Sequence, residues 1–319
     1  MGLGFLAALS SAPGHAAAYD PLAVTVPKAP TMELQVRDHE RRREIPLLLH
    51  VPEAGPAAPV ILFSHGLGGS RHAGQYLGRH WAARGYVVVF VQHPGSDESV
   101  WREVPQETRR AALKKAANSE NYLLRLRDIT AVLDQLTIWQ QLAGHPLHGR
   151  LDLQRIGMSG HSFGALTTQA VSGQTLPLVG TSLSEPRIKA ALALSPGKPR
   201  HGDAAAAFAS VRIPWLLMTG TRDDSPIGKV SPASRQEVYP ALPPGGKYEL
   251  VLHEAQHSAF SDHPLRGNAA RNPNHHRVIL ALSTAFWDCW LRANPAAHSW
   301  LDGWGPSSVL QANDRWQKK

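Results

Sequence analysis

Residues 155–164 read Arg155-Ile156-Gly157-Met158-Ser159-Gly160-His161-Ser162-Phe163-Gly164, followed from Ala165 by helix formers. The first half is a short, mostly apolar run suited to a buried strand, and the second half is a G-x-S-x-G turn. Two glycines permit a tight strand-to-helix connection with Ser162 exposed at its tip. The backbone N–H of Phe163, at the helix start, then points at any negative charge that develops on a bound carbonyl oxygen. The competing reading is a serine that merely caps a helix, but a cap needs no flanking glycine pair.

Outward from this stretch the chain alternates strand and helix patterns. Continuous apolar runs at 59–64 and 86–91 suit strands buried on both faces, and 44–51 reads as an early strand near the sheet edge because Pro46 lies within it. Strands are expected at 155–159, 188–194, 215–219 and 247–253. Helices are expected at 75–84, from the serine turn to about 172, at 120–139 and at 274–292, the last closing the regular structure. Residues 95–118 read as a polar, charged and irregular insertion, either a lid or a surface loop. A repeated βα series predicts an α/β fold, with a mostly parallel sheet of about eight strands and helices on both faces. Ligands in such sheets bind at the carboxyl ends of the strands.

Chemical groups just after strands are therefore the candidates. A serine needs a base, and His257 lies in the loop after the last predicted strand. The base needs a carboxylate, and Gly220-Thr221-Arg222-Asp223-Asp224-Ser225-Pro226 follows the preceding strand. Asp223 fits the Gly-x-x-Asp turn, with Asp224 as the alternative. A second N–H donor is expected from Leu67, within the Phe63-Ser64-His65-Gly66-Leu67-Gly68-Gly69 loop, to join that of Phe163. That loop lacks the Gly-Lys-Ser/Thr ending of a phosphate-binding loop.

The segments Phe63–Gly69 (FSHGLGG) and Gly160–Gly164 (GHSFG) resemble the matching motifs of platelet-activating-factor acetylhydrolase. The wider pattern, from about 44 to 292, is similar to the dienelactone-hydrolase-like branch of the α/β-hydrolase superfamily, to which polyester-degrading cutinase-like enzymes are related. The resemblance implies an α/β-hydrolase fold and a serine ester hydrolase without a cofactor. It implies Ser162, Asp223 and His257 as the catalytic set, and a small-molecule, lipid or polymer ester as substrate. True dienelactone hydrolases carry a cysteine nucleophile where this chain has Ser162, which argues against dienelactone itself as substrate.

His253-Glu254-Ala255-Gln256-His257 also matches H-E-x-x-H, the signature of zinc metalloproteases. Zinc ligation requires both histidines on one helix face, whereas 247–252 alternates as a strand. Phe260 stands where the longer pattern wants glycine, and no methionine follows Met218. A hydrolase-like binding protein without activity is the other alternative.

Composition narrows the rest. The 319 residues are 43% hydrophobic, which suits a real core and excludes disordered and fibrous classes. No run is long and apolar enough for a membrane span. The single cysteine, Cys289, excludes an intramolecular disulfide. The +8 net charge does not gather into a nucleic-acid track, since its basic clusters are short and read as solvated faces. Residues 1–18 are uncharged, with an apolar run at 2–9 and Ala16-Ala17-Ala18 before Tyr19, so they read as a signal peptide for export, periplasmic or secreted, the alternative being an alanine-rich leader with no targeting role on a cytoplasmic protein. The remainder, 19–319, reads as one domain. His65 and His161 are expected to be structural, Arg127 and Asp128 to pair with each other, Trp287 and Trp290 to be core, and Trp300, Trp304 and Trp316 to lie in an irregular tail.

Overall fold

The computed structural model describes residues 18–24, 29–53, 55–176, 183–199, 201–228, 230–262 and 272–319. The predicted leader lies outside them, apart from Ala18. The strands are β1 (Thr31–Asp38), β2 (Arg43–His50), β3 (Ala58–Ser64), β4 (Val87–Val91), β5 (Leu151–His161), β6 (Ile188–Leu194), β7 (Trp215–Arg222), β8 (Lys247–Gln256) and β9 (Arg315–Lys318). Between them run α1 (Gln75–Ala83), α2 (Ser99–Arg102), α3 (Arg109–Ala116), α4 (Ser119–Gln141), α5 (Phe163–Val171), α6 (Ala204–Phe208), α7 (Pro232–Gln236), α8 (Val238–Ala241), α9 (Pro273–Trp290) and α10 (Pro295–Asp302).

One sheet joins all nine strands in the order β1-β2-β4-β3-β5-β6-β7-β8-β9. The six central strands, β4 to β8 in that order, are mutually parallel, while β1, β2 and β9 attach antiparallel. Within β3, side chains alternate between two apolar layers. Ile61 and Phe63 pack with Trp81, Phe286 and Trp287 under α1 and α9. Val60 and Leu62 pack with Leu126, Ile129, Val132 and Leu136 under α4. A strand with both faces covered by helices has no polar positions, which is why these runs are continuously apolar.

Several expectations are corrected. The sheet has nine strands rather than about eight, and only its centre is parallel. Regular structure starts at Thr31 and continues past 292 through α10 to β9, because antiparallel edge strands need no long apolar run. Trp300 lies in α10, and Trp316 in β9 stacks on Tyr248 at 5.5 Å, leaving Trp304 as the exposed tail indole. The strand holding Pro46 does lie near the sheet edge, with only β1 outside it. Pro46 sits one residue beyond the β2–β4 ladder, where its carbonyl accepts from Gln92 and no donor is required. The insertion at 95–118 holds two short helices, α2 and α3. Arg127 and Asp128 do not pair, since adjacent helix positions point about 100° apart; Arg127 is exposed and Asp128 is buried against Arg41, Arg43 and His93.

Candidate active site

The ends of β5, β7 and β8 bring Ser162, Asp223 and His257 together at the carboxyl rim of the sheet. Ser162 stands between β5 and α5 with φ 58° and ψ −113°, a strained conformation for a residue with a side chain. The flanking glycines serve close approach. A Cβ on Gly164 would collide with the Ser64 carbonyl, and one on Gly160 would collide with Gly164. The positive φ belongs to the serine itself.

His257 opens a short 3₁₀ turn, His257–Phe260, directly after β8. Its Nδ1–H donates to Asp223 Oδ1 at 2.6 Å, and its Nε2 accepts from Ser162 Oγ at 2.9 Å. Asp223 is fully buried and also accepts from the Thr219 hydroxyl at 2.8 Å, while Asp224 is exposed. Burial alone would raise the Asp223 carboxyl, but the His257 hydrogen bond and the Arg235 charge hold it below the ordinary carboxylate range. Arg235, which the sequence reading missed, lies buried on α7. It donates to the carbonyls of Asp223, Ser195 and Pro196, and its Nη2 is 3.4 Å from His257 Nδ1. The loop beyond His257 is tied down by Asp262, which caps α1 through the N–H groups of Gly74, Gln75 and Tyr76.

Leu67 and Phe163 follow the adjacent parallel strands β3 and β5, which pair as far as Ser64 and Gly160, and a Cβ on Gly66 would lie 3.5 Å from the Ser162 Cβ. Among the described residues, neither N–H donates a hydrogen bond. The Leu67 loop is strapped from the far side by the 95–118 segment. Gly68 N–H donates to Ser96 O at 2.9 Å, the Trp101 indole N–H donates to Gly68 O at 2.7 Å, and Glu98 N–H donates to Gly69 O at 2.8 Å.

A second Ser-His-Asp arrangement lies behind that loop. Ser64 Oγ donates to His93 Nε2 at 2.9 Å, and His93 Nδ1–H donates to Asp128 Oδ2 at 3.0 Å. All three side chains are sealed from solvent, so no ester carbonyl can reach Ser64. Asp128 also takes Arg41 and Arg43, each at 2.8 Å, and is held far below the ordinary carboxylate range. Burial and Arg125 pull His93 down to about 4. His65 is enclosed as well, and His161 is half-buried. His65 donates to Gly66 O, and His161 donates to His257 O while its ring packs on the His257 ring. Burial pushes the first well below its ordinary range and the second to about 3, so both are neutral.

The H-E-x-x-H match falls on the end of β8 and the turn after it, with no helix to bring the two histidines onto one face. His263, which the longer pattern would use, lies outside the described residues. Among the described residues, no helix is long and apolar enough to cross a membrane.

Residues 48–141 match the family model of platelet-activating factor acetylhydrolase, isoform II. The match runs from β2 through α4, so it takes in the Leu67 loop and the α2–α3 strap but ends before Ser162. It supports the platelet-activating-factor-acetylhydrolase-like branch of the α/β hydrolases, a group of ester-acting hydrolases. No curated protein matches the chain significantly.

Proposed function

We propose that the protein is a serine hydrolase of carboxylic esters, acting through an acyl-enzyme. Ser162 Oγ attacks the ester carbonyl as His257 Nε2 removes its proton, and Asp223 orients the imidazole and balances its charge. The N–H groups of Leu67 and Phe163 receive the oxyanion. His257 then protonates the leaving alcohol and activates water, which releases the acid and restores Ser162. The reading rests above all on the His257 imidazole, which bridges Ser162 and the buried Asp223 while Ser162 stays open to solvent at a strained turn.

The test is direct. Wild type is expected to hydrolyse p-nitrophenyl acetate and to be labelled stoichiometrically by a serine-reactive phosphonate. Ser162→Ala is expected to lose both while its circular dichroism spectrum stays unchanged. Full activity in that variant, or loss of wild-type activity to a chelator, rejects the reading. A folded wild type that neither turns over esters nor takes the label is a binding protein instead.

A further inference from the structure

Arg125 is fully buried on the inner face of α4. Among the described residues, no carboxylate lies within ion-pair distance of it. The nearest candidate in sequence, Asp128, gives its oxygens to Arg41, Arg43 and His93. Enclosing an unpaired guanidinium is costly, and burial pulls Arg125 down to about 9. A sequence gains nothing in stability from such a group when an apolar residue would fill the same space.

The acceptors around Arg125 are neutral, and each belongs to a segment that holds an oxyanion donor. Nη2 donates to Ser64 Oγ at 3.0 Å and to the His65 carbonyl, just before Gly66 and Leu67. Nη1 donates at 2.9 Å to Ser96 Oγ, on the residue whose carbonyl holds Gly68 N–H. Nε donates at 3.1 Å to Thr167 Oγ1, which itself donates to the Phe163 carbonyl. The guanidinium also lies 4.7 Å over the Phe163 ring.

We propose that Arg125 is a positioning residue for the oxyanion site, fixing the Leu67 and Phe163 backbones relative to one another and lending them positive charge from behind. This rests on Ser162 being the nucleophile. The two donors come from different strand ends, and one rigid fork bonded to both segments sets their spacing without touching substrate. The Ser64-His93-Asp128 chain then has a use, because it orients the Ser64 oxygen as an acceptor for Arg125.

The experiment reads the p-nitrophenol burst of Arg125→Met and Arg125→Lys, normalised to sites titrated with the phosphonate. The expected result for Arg125→Met is an acylation rate 10- to 100-fold lower per titrated site, roughly the effect of a misaligned donor. Substrate affinity from burst saturation should stay within about twofold of wild type. A trifluoromethyl ketone, which forms an oxyanion on Ser162, should bind more weakly by a similar factor. Arg125→Lys keeps the charge but not the fork, and should fall between. A purely structural role would lower the fraction of titratable sites and leave the per-site rate unchanged, which overturns the proposal. If Arg125→Met does not fold, Arg125→Lys decides by the same two readouts. An active Ser162→Ala defeats the underlying reading, whereas an inactive one beside wild-type-like Arg125 variants defeats only this one.

Discussion

At the scale of single residues, the described residues contain two Ser-His-Asp chains of near-equal geometry, and exposure separates them. Ser64 donates to His93 inside the core, whereas Ser162 donates to His257 at the rim. Geometry alone therefore does not mark a nucleophile; geometry at an accessible, strained turn does. The acid was the position left open by the sequence, because adjacent aspartates after one strand are indistinguishable by spacing. Their fates differ since Asp223 turns inward under Arg235 and Asp224 turns to solvent. Asp223→Asn is expected to lower kcat on p-nitrophenyl acetate by roughly 10³- to 10⁴-fold through loss of the imidazole's orientation. Asp224→Asn should stay within about twofold, and the reverse ranking would move the acid to position 224. Arg125 left a trace in the sequence: with Ile129, Val132 and Leu136 it occupies one helical stripe, so a charge sits where the period calls for an apolar side chain.

At the scale of elements, the parallel strands and β2 were legible, and the outermost antiparallel strands β1 and β9 were not. β3 and β4 announce themselves as continuous apolar runs, and β6 and β7 as apolar runs interrupted only by the exposed Lys189 and the exposed Thr221–Arg222 end. β1 (TMELQVRD) alternates, as a strand with one solvated face must, and β9 (RWQK) has only Trp316 to mark it. The partners of β9 are supplied by β8, where Trp316 lies opposite Leu250 and stacks on Tyr248, and where Arg315 and Gln317 bond the buried Glu249. Trp316→Ala should therefore lower unfolding free energy by about 2 kcal/mol in urea titration, with little change in per-site activity, since the strand is not among those that carry the triad. A change below about 0.5 kcal/mol would mean that β9 contributes nothing to the sheet. In the 95–118 segment, α2 and α3 were hidden because short helices carry too few turns to show a period.

Across the whole molecule, buried neutral histidines set the response to acid. His65 and His93 both sit below the unfolded reference of 6.5 in the folded state, owing first to burial and then to Arg125. The unfolded chain consequently binds more protons as pH falls below 6.5, and stability present above that value is lost on the way down. Each group contributes a slope of about 1.4 kcal/mol per pH unit within its window. Asp128 and Asp223, held below the ordinary carboxylate value of 3.8, add their loss only beneath it. The melting temperature by calorimetry should fall steadily from pH 6.5 to about 5, before most carboxylates titrate, and a flat profile there would contradict the buried, neutral state of these rings. The sequence by itself determined the βα order, the serine turn and the histidine loop, because those depend on local periodicity and on glycine placement. Only the tertiary structure decided which aspartate turns inward, which of two Ser-His-Asp chains opens to solvent, and where the unpaired Arg125 spends its hydrogen bonds. Each of these depends on burial and on partners tens of residues away, which no local pattern encodes.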